Sequence, residues 1–330
     1  MARIVVGVGT SHSPQLSTPG ETWRLHAARD QRNPALHFRG EVYRFDELLK
    51  VREHEQIQKE ISDEIWSKKY QACEAGITAL GATIESASPD VLVIVGDDHK
   101  ELFLDDNMPA LSVFRGAELW STPPAEDELD PSIVPARWAN YGDERISFPC
   151  VPELAEHIIE ALIVDGFDVA QFSQQPEGRS LGHAFIFPRQ RLMNHDRPVV
   201  PIVPIFINDY FAPNQPTPGR CYQFGKALRR AIDSWKSDAR VGVVASGGLS
   251  HFVVDEQLDR RVLSGLASGD HADLQKIPMN ELNSGTSEIR NWIAVGAALD
   301  DFKMELIGYV PAYRSLAGTG CGMAFARWAP

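Results

Sequence analysis

Cysteine is scarce in this chain, and basic charge is in deficit. Cys73, Cys150, Cys221 and Cys321 are the only four among 330 residues, and none forms a C-x-x-C pair. That excludes a disulfide scaffold and a thiolate-built structural zinc site, leaving reduced thiols as the expectation. Lys and Arg number 32 against 45 Asp and Glu, a net charge of −13. Nucleic acid or an anionic membrane would call for a basic face, so neither is expected as a partner. A local pocket for a small anionic molecule stays compatible with this balance. No apolar run approaches the ~20 residues that span a bilayer. The opening MARIVVGVGTSHSP reads as a strand rather than a secretory leader, because its apolar run is short and turns polar at once. A cytoplasmic protein is expected. Familiar signatures are also missing. VGVGTSH lacks the third glycine of G-x-G-x-x-G, and VASGG lacks the first glycine of G-x-S-x-G. AGTGCG, residues 317–322, has no strand–helix context that would make it a phosphate loop.

What is present is ordinary globular composition, 43% apolar and 23% charged, without repeats or low-complexity tracts. Four β-branched runs stand out at residues 4–8, 91–95, 199–207 and 241–245, with weaker strand candidates at 110–114 and 168–172. Their continuous apolarity predicts strands covered on both faces. Helical spacing recurs over 53–86, 153–164, 222–235, 258–266 and 287–302. Alternating strands and helices predict an α/β fold: a central, largely parallel or mixed sheet flanked by helices, in one domain over residues 1–330. Residues 17–50 and 115–150 lack sustained periodicity but are rich in aromatics, and are expected to be active-site or interface insertions.

The chemistry lies at the strand ends. IVVGVG runs into Thr10-Ser11-His12, VLVIVG into Asp97-Asp98-His99, and VGVVAS through Gly247-Gly248-Leu249-Ser250 into His251. A lone histidine after a strand ordinarily caps a helix or packs in a loop, and Asp97 and Asp98 alone would be turn residues. Three strands ending alike point instead to one shared crevice, since ligands of open α/β sheets bind beyond the carboxyl ends of strands. Histidine and carboxylate without thiolate suit Fe(II), Mn(II) or Zn(II). A two-metal phosphoesterase or other metal-dependent hydrolase using Asp97, Asp98 and His99 fits the same residues.

The segments GTSHSPQL, VIVGDDHKELF, SLGHAFIFP, VPIFIND, GRCYQFGKALRRAI, SGGLSHF and TSEIRNWIAVGAAL run from residue 9 to 299. In this order they resemble the class III extradiol ring-cleavage dioxygenases, the superfamily of the protocatechuate 4,5-dioxygenase β subunit, and within it the single-chain gallate and 3-O-methylgallate branch. The resemblance implies a non-haem Fe(II) held by His12, His99 and Glu288. It implies His251 as the proton-handling histidine and His183 as a second active-site histidine. Glu288, in a first helical turn, would otherwise read as a dipole-complementing residue. Asp98 is expected in a turn or beside a ligand histidine. The implied reaction opens the ring of a catecholic acid (gallate, 3-O-methylgallate or protocatechuate) with both atoms of O2. Departing from protocatechuate 4,5-dioxygenase, no separate small subunit is expected, the two insertions serving as lid, and a homo-oligomer, a dimer first, is expected. A basic residue in or near those insertions would hold the substrate carboxylate. A non-enzymatic relative is the remaining alternative, disfavoured by retention of the whole triad with His251.

Overall fold

The computed structural model describes residues 1–330. Its first part holds β1 (Arg3–Thr10), α1 (Trp23–Asp30), the pair β2 (Leu36–Phe38) and β3 (Glu41–Tyr43), α2 (Phe45–Val51), α3 (Asp63–Ala87) and β4 (Val91–Gly96). Next come β5 (Leu111–Phe114), β6 (Glu118–Ser121), α4 (Arg137–Asn140), β7 (Ile146–Pro149), α5 (Pro152–Val164), β8 (Ala170–Phe172), α6 (His183–Leu192) and β9 (Ile202–Ile207). The remainder comprises α7 (Pro218–Ser234), β10 (Arg240–Ser246), β11 (His251–Val253), α8 (Glu256–Ser268), α9 (Ile289–Ala298), β12 (Lys303–Tyr313) and β13 (Thr319–Ala329).

The apolar runs build a sheet with two greasy faces, because successive side chains of a strand point to opposite sides. In β4, Val91, Val93 and Val95 join one buried cluster while Leu92 and Ile94 join another. Helices α5, α7, α8 and α9 cover the first face, contributing Leu154, Phe224, Val262 and Trp292 among others. Helices α3 and α6 cover the second, with Ile77, Leu80, Phe185 and Phe187. The strand order is β11-β13-β1-β10-β4-β9-β5-β8, with β12 paired along β13. β1, β10, β4 and β9 are consecutive parallel neighbours. The sheet is mixed because β13 runs antiparallel to β1, β11 and β12 at one edge, while at the other β5 runs antiparallel to β9 and parallel to β8. Thus the three histidine-bearing strand ends lie side by side, His251 leaving the middle strand.

Several boundaries differ from the sequence reading. The strand expected over 199–207 starts at Ile202, after the Pro198–Pro201 stretch, and the helix expected over 53–86 is regular only from Asp63, where Ser62 accepts the Ile65 N–H. Ahead of α9, residues Ser284–Glu288 form a tighter 3₁₀ turn. The β12–β13 hairpin was not anticipated. Its strands are 11 residues each, and AGTGCG falls in its turn and the start of β13. Polar and proline positions in β12 break the apolar pattern that marks a covered strand, since much of it is only half-buried. The 17–50 segment folds as α1, the β2–β3 hairpin and α2, and 115–150 carries the β6–β7 hairpin and α4.

Candidate metal centre and active site

Each donor is fixed by backbone chemistry before it meets the others. His12 follows β1, and its Nδ1 lies 3.0 Å from Ser246 Oγ at the end of β10. Ser246 donates its single hydrogen to the Ala184 carbonyl, 2.6 Å away, so it must accept from His12 Nδ1–H. The tautomer is thereby set, and His12 Nε2 carries a lone pair. That nitrogen lies 3.2 Å from Glu288 Oε2 and 3.8 Å from Asp97 Oδ1. His99 Nε2 lies 3.1 Å from Asp97 Oδ2 and 3.7 Å from Glu288 Oε1. The donor atoms of Asp97, His99 and Glu288 fall within 4.8 Å of one another, as do those of His12, Asp97 and His183.

These are atoms that repel unless something positive lies among them. His12 Nε2, His99 Nε2 and Asp97 Oδ2 are buried and make no hydrogen bond. Buried polar atoms are otherwise nearly always paired, and leaving them unpaired is costly. Two imidazole nitrogens with one or two carboxylates, and no thiolate, fit a mononuclear Fe(II) or a similar divalent ion. Helix α9 and its leading turn hold the carboxylates in place. Asn291 donates to Asp209 (3.2 Å), to the Ser246 carbonyl (3.1 Å) and toward Asp97 (3.5 Å), while Trp292 Nε1 donates to the Gly247 carbonyl at 2.8 Å. Glu288 Oε2 also accepts the Gly248 N–H at 2.5 Å. Burial works against charge at Glu288, yet His251 and His12 hold its carboxyl well below the ordinary value. Asp97 moves the other way, pushed up to about 6 by burial and then by the charge of Glu288. His99 is lowered to about 4 by burial and by His183, which favours the neutral, ligating form.

His251 is clamped rather than merely packed. A Cβ on Gly248 would fall 2.6 Å from its ring, and one on Gly285 would fall 2.1 Å from it. Nδ1 donates to the Leu249 carbonyl at 2.9 Å, and Nε2 faces Glu288 Oε1 at 2.9 Å. Burial opposes its charge, but Glu288 overrides this and raises its pKa to about 10. The turn carrying His251 is tied down from outside: Ser250 donates through both N–H and Oγ to buried Asp259, 2.7 Å each. His183 opens α6 with its ring centroid 4.6 Å from His12 and 5.0 Å from His99. Its Nδ1 lies 2.7 Å from Glu101 Oε1, whose other oxygen accepts the His99 N–H at 2.5 Å. Against burial, Glu101 raises the His183 pKa to about 9.

A cavity of about 200 Å³ is lined by His12, His99, His183, His251 and Glu288. Arg29 from α1, and Ile133, Asn140 and Tyr141 from the 115–150 segment, form other walls. All five residues drawn from the sequence therefore share one cavity. Asp98 does not enter it as a donor: its carboxylate accepts the Leu102 and Phe103 N–H groups at 2.8 and 3.0 Å. Asp97 is the acid that meets the histidines, so a second metal position built on Asp98 has no support. Glu101, Ser246, Asn291, Arg29 and Asn140 escaped the sequence reading. Glu101, two residues beyond His99, carried a positional signal; the others reach the site only through tertiary structure.

A family model described as the catalytic LigB subunit of aromatic ring-opening dioxygenase matches residues 54–324. That span includes His99, His183, His251 and Glu288 and begins after His12. Gallate dioxygenase of Pseudomonas putida is 41% identical over 105 residues, 32% of this chain and 29% of that relative's own length. A 2,3-dihydroxyphenylpropionate/2,3-dihydroxicinnamic acid 1,2-dioxygenase of Klebsiella pneumoniae is 26% identical over 72% of this chain and 86% of its own. A solved structure of an uncharacterized Escherichia coli K12 protein aligns over 98% of this chain and 99% of its own at TM-score 0.47 and 13% identity, too loose to carry an inference. No helix is long and apolar enough to cross a membrane.

Proposed function

The chain belongs to the family of the catalytic LigB subunit of aromatic ring-opening dioxygenases, and from that membership we propose that it is a non-haem Fe(II)-dependent extradiol dioxygenase acting on a catecholic acid with O2. We assign His12, His99 and Glu288 as metal ligands, His251 as the proton-handling residue and His183 as its companion. The observation that carries this is the convergence of unpaired His12 Nε2, His99 Nε2 and Asp97 Oδ2 on the Glu288 carboxylate, at one wall of a cavity that suits a single aromatic ring. Both relatives named above act, by their names, on aromatic acids. Gallate, 3-O-methylgallate and protocatechuate are the candidate substrates.

Fe(II), when bound, supplies a Lewis acid for the diol and an electron conduit between diol and O2. The protein's own groups do the rest. His251 has its Nδ1–H anchored on the Leu249 carbonyl, so Nε2 is the atom that exchanges a proton with the substrate hydroxyl. Gly248 and Gly285 keep that ring from turning away. His183, charged through Glu101, presents its other nitrogen as a donor where negative charge develops on the substrate. His12, His251 and Glu288 are themselves buried, which limits their contact with bulk water.

We further propose that the protein works without a separate small subunit, as a homo-oligomer in the cytoplasm. Walls supplied by Arg29, Ile133, Asn140 and Tyr141 support the first point, and four free thiols support a reducing compartment. The test is oxygen uptake after anaerobic loading with Fe(II), across gallate, 3-O-methylgallate, protocatechuate and plain catechol. Uptake matching substrate loss one-to-one is expected. No uptake with any diol, despite bound iron, would refute the reading.

A further inference from the structure

We propose that Arg29 is the anion-binding residue of the cavity, taking the carboxylate of the catecholic substrate and so deciding which rings are accepted. This rests on the dioxygenase reading above and adds to it the residue that sets charge specificity.

A guanidinium that lines a cavity without a protein partner keeps five N–H donors free for whatever enters. Arg29 is half-buried, lines the cavity, and its side chain makes no hydrogen bond or ion pair with the protein. The nearby acids are already engaged. Asp30 is bound in a bidentate pair by Arg314, at 2.5 and 2.8 Å, with both side chains 3% exposed. Asp130 takes Arg32 at 3.2 Å and the Ser132 hydroxyl at 2.7 Å. Burial and the like charge of Arg314 lower the pKa of Arg29, so its charge is held at a cost that an incoming anion would remove.

Its position suits the far end of a ring whose diol lies at the histidines. The Arg29 guanidinium is 5.8 Å from the Phe252 ring centroid, and that ring stands edge-on to His251 at 5.4 Å. An aromatic substrate in this cavity would lie beside Phe252, with the proton-handling histidine toward one end and the guanidinium toward the other. A carboxylate matches the guanidinium fork with two parallel hydrogen bonds. A second unpartnered group lines the same cavity. Asn140 is fully buried, and its Nδ2 donates to the His12 carbonyl at 2.9 Å, which leaves Oδ1 with no donor. A ring hydroxyl supplies that donor. Cation and acceptor together describe a hydroxylated aromatic carboxylate.

The test compares 3,4-dihydroxybenzoate with 3,4-dihydroxybenzamide, which share ring, diol and shape but not charge. Binding is measured by calorimetry on Fe(II)-loaded protein without O2, for the wild type, Arg29→Met and Arg29→Lys. The wild type is expected to prefer the acid by roughly 10- to 100-fold, the range of a charge-assisted pair. Arg29→Met should lose that preference through weaker acid binding, and Arg29→Lys should keep part of it, having charge without the fork. Thermal unfolding of the metal-free Arg29→Met protein should show no loss of stability, since no protein bond is removed; Arg29→Gln replaces it if that variant does not fold. Equal wild-type affinity for acid and amide, or parallel weakening of both in Arg29→Met, overturns the proposal. Oxygen uptake by the wild type with plain catechol reports separately on the dioxygenase reading, because catechol carries no anion for Arg29 to hold.

Discussion

Ser246→Ala tests the tautomer argument on which the metal site stands. Ser246 Oγ links two groups, accepting from His12 Nδ1 at 3.0 Å and donating to the Ala184 carbonyl at 2.6 Å, at a position with no exposure to solvent. Alanine leaves a buried donor and a buried acceptor unmatched. At about 1–3 kcal/mol for each orphaned group, the metal-free protein should lose roughly 2–6 kcal/mol before any relaxation. His12 also loses the contact that keeps its lone pair on Nε2, so Fe(II) affinity should fall roughly 10- to 100-fold, as is usual when a partner of a ligand histidine is removed. Anaerobic competition with a chelator measures the affinity, and urea unfolding measures the stability. Ser112→Ala is the control: Ser112 Oγ, on β5, is buried with no partner, so its loss should be neutral or stabilising and leave iron binding alone. A destabilised Ser246→Ala protein that still bound Fe(II) like the wild type would refute the reasoning.

Three further outcomes are expected. His12→Ala and His99→Ala should lose iron by metal analysis, whereas His251→Gln should keep it and lose turnover by about 10²–10⁴-fold, the usual share of a general acid–base. Asp98→Ala should cost about 1–3 kcal/mol through the Leu102 and Phe103 N–H groups while iron is retained; Asp97→Ala should weaken iron binding, and the reverse pattern would restore Asp98 as a ligand. His26, held down to about 2 by burial and by the charges of Arg314 and Arg29, stays neutral when folded but protonates near 6.5 when unfolded. The unfolded state therefore binds more protons below that pH, and stability falls as pH drops through it, by about 2 kcal/mol at pH 5. His26→Gln should flatten that part of the stability–pH curve, and an unchanged slope would show that His26 is not its source.

The parts of the fold legible in the sequence were those where burial acts on both faces of a strand. β4, β9 and the Val241–Ala245 stretch of β10 are continuous apolar runs because both faces of these strands are covered. β12 escaped because it is half-exposed and its polar residues follow no clean alternation. His12, His99 and His251 were visible as repeated endings of strong strands, and the side-by-side order of β1, β10 and β4 gathers them. Glu288 was legible only through family resemblance, since an acid in a first helical turn has a commoner explanation. Asp97 and Asp98 could not be told apart: adjacent residues after a strand point in different directions, and only the turn to Leu102 and Phe103 decides which one faces the histidines. Arg29 and Asn140 gave no local signal. Their significance is a missing partner, which exists only once all the other partners have been assigned.

The donors hang from strand ends and the turn before α9, while Arg29, Ile133, Asn140 and Tyr141 stand on excursions outside the sheet. Oxygen chemistry and ring choice are thus inherited on different stretches of chain, and one can drift while the other is held by the core. A library at Arg29, Ile133 and Tyr141 would explore new aromatic substrates without touching the iron donors. A direct tie between the two stretches is the Asn140 side chain on the His12 carbonyl. It is the position such a library would leave untouched.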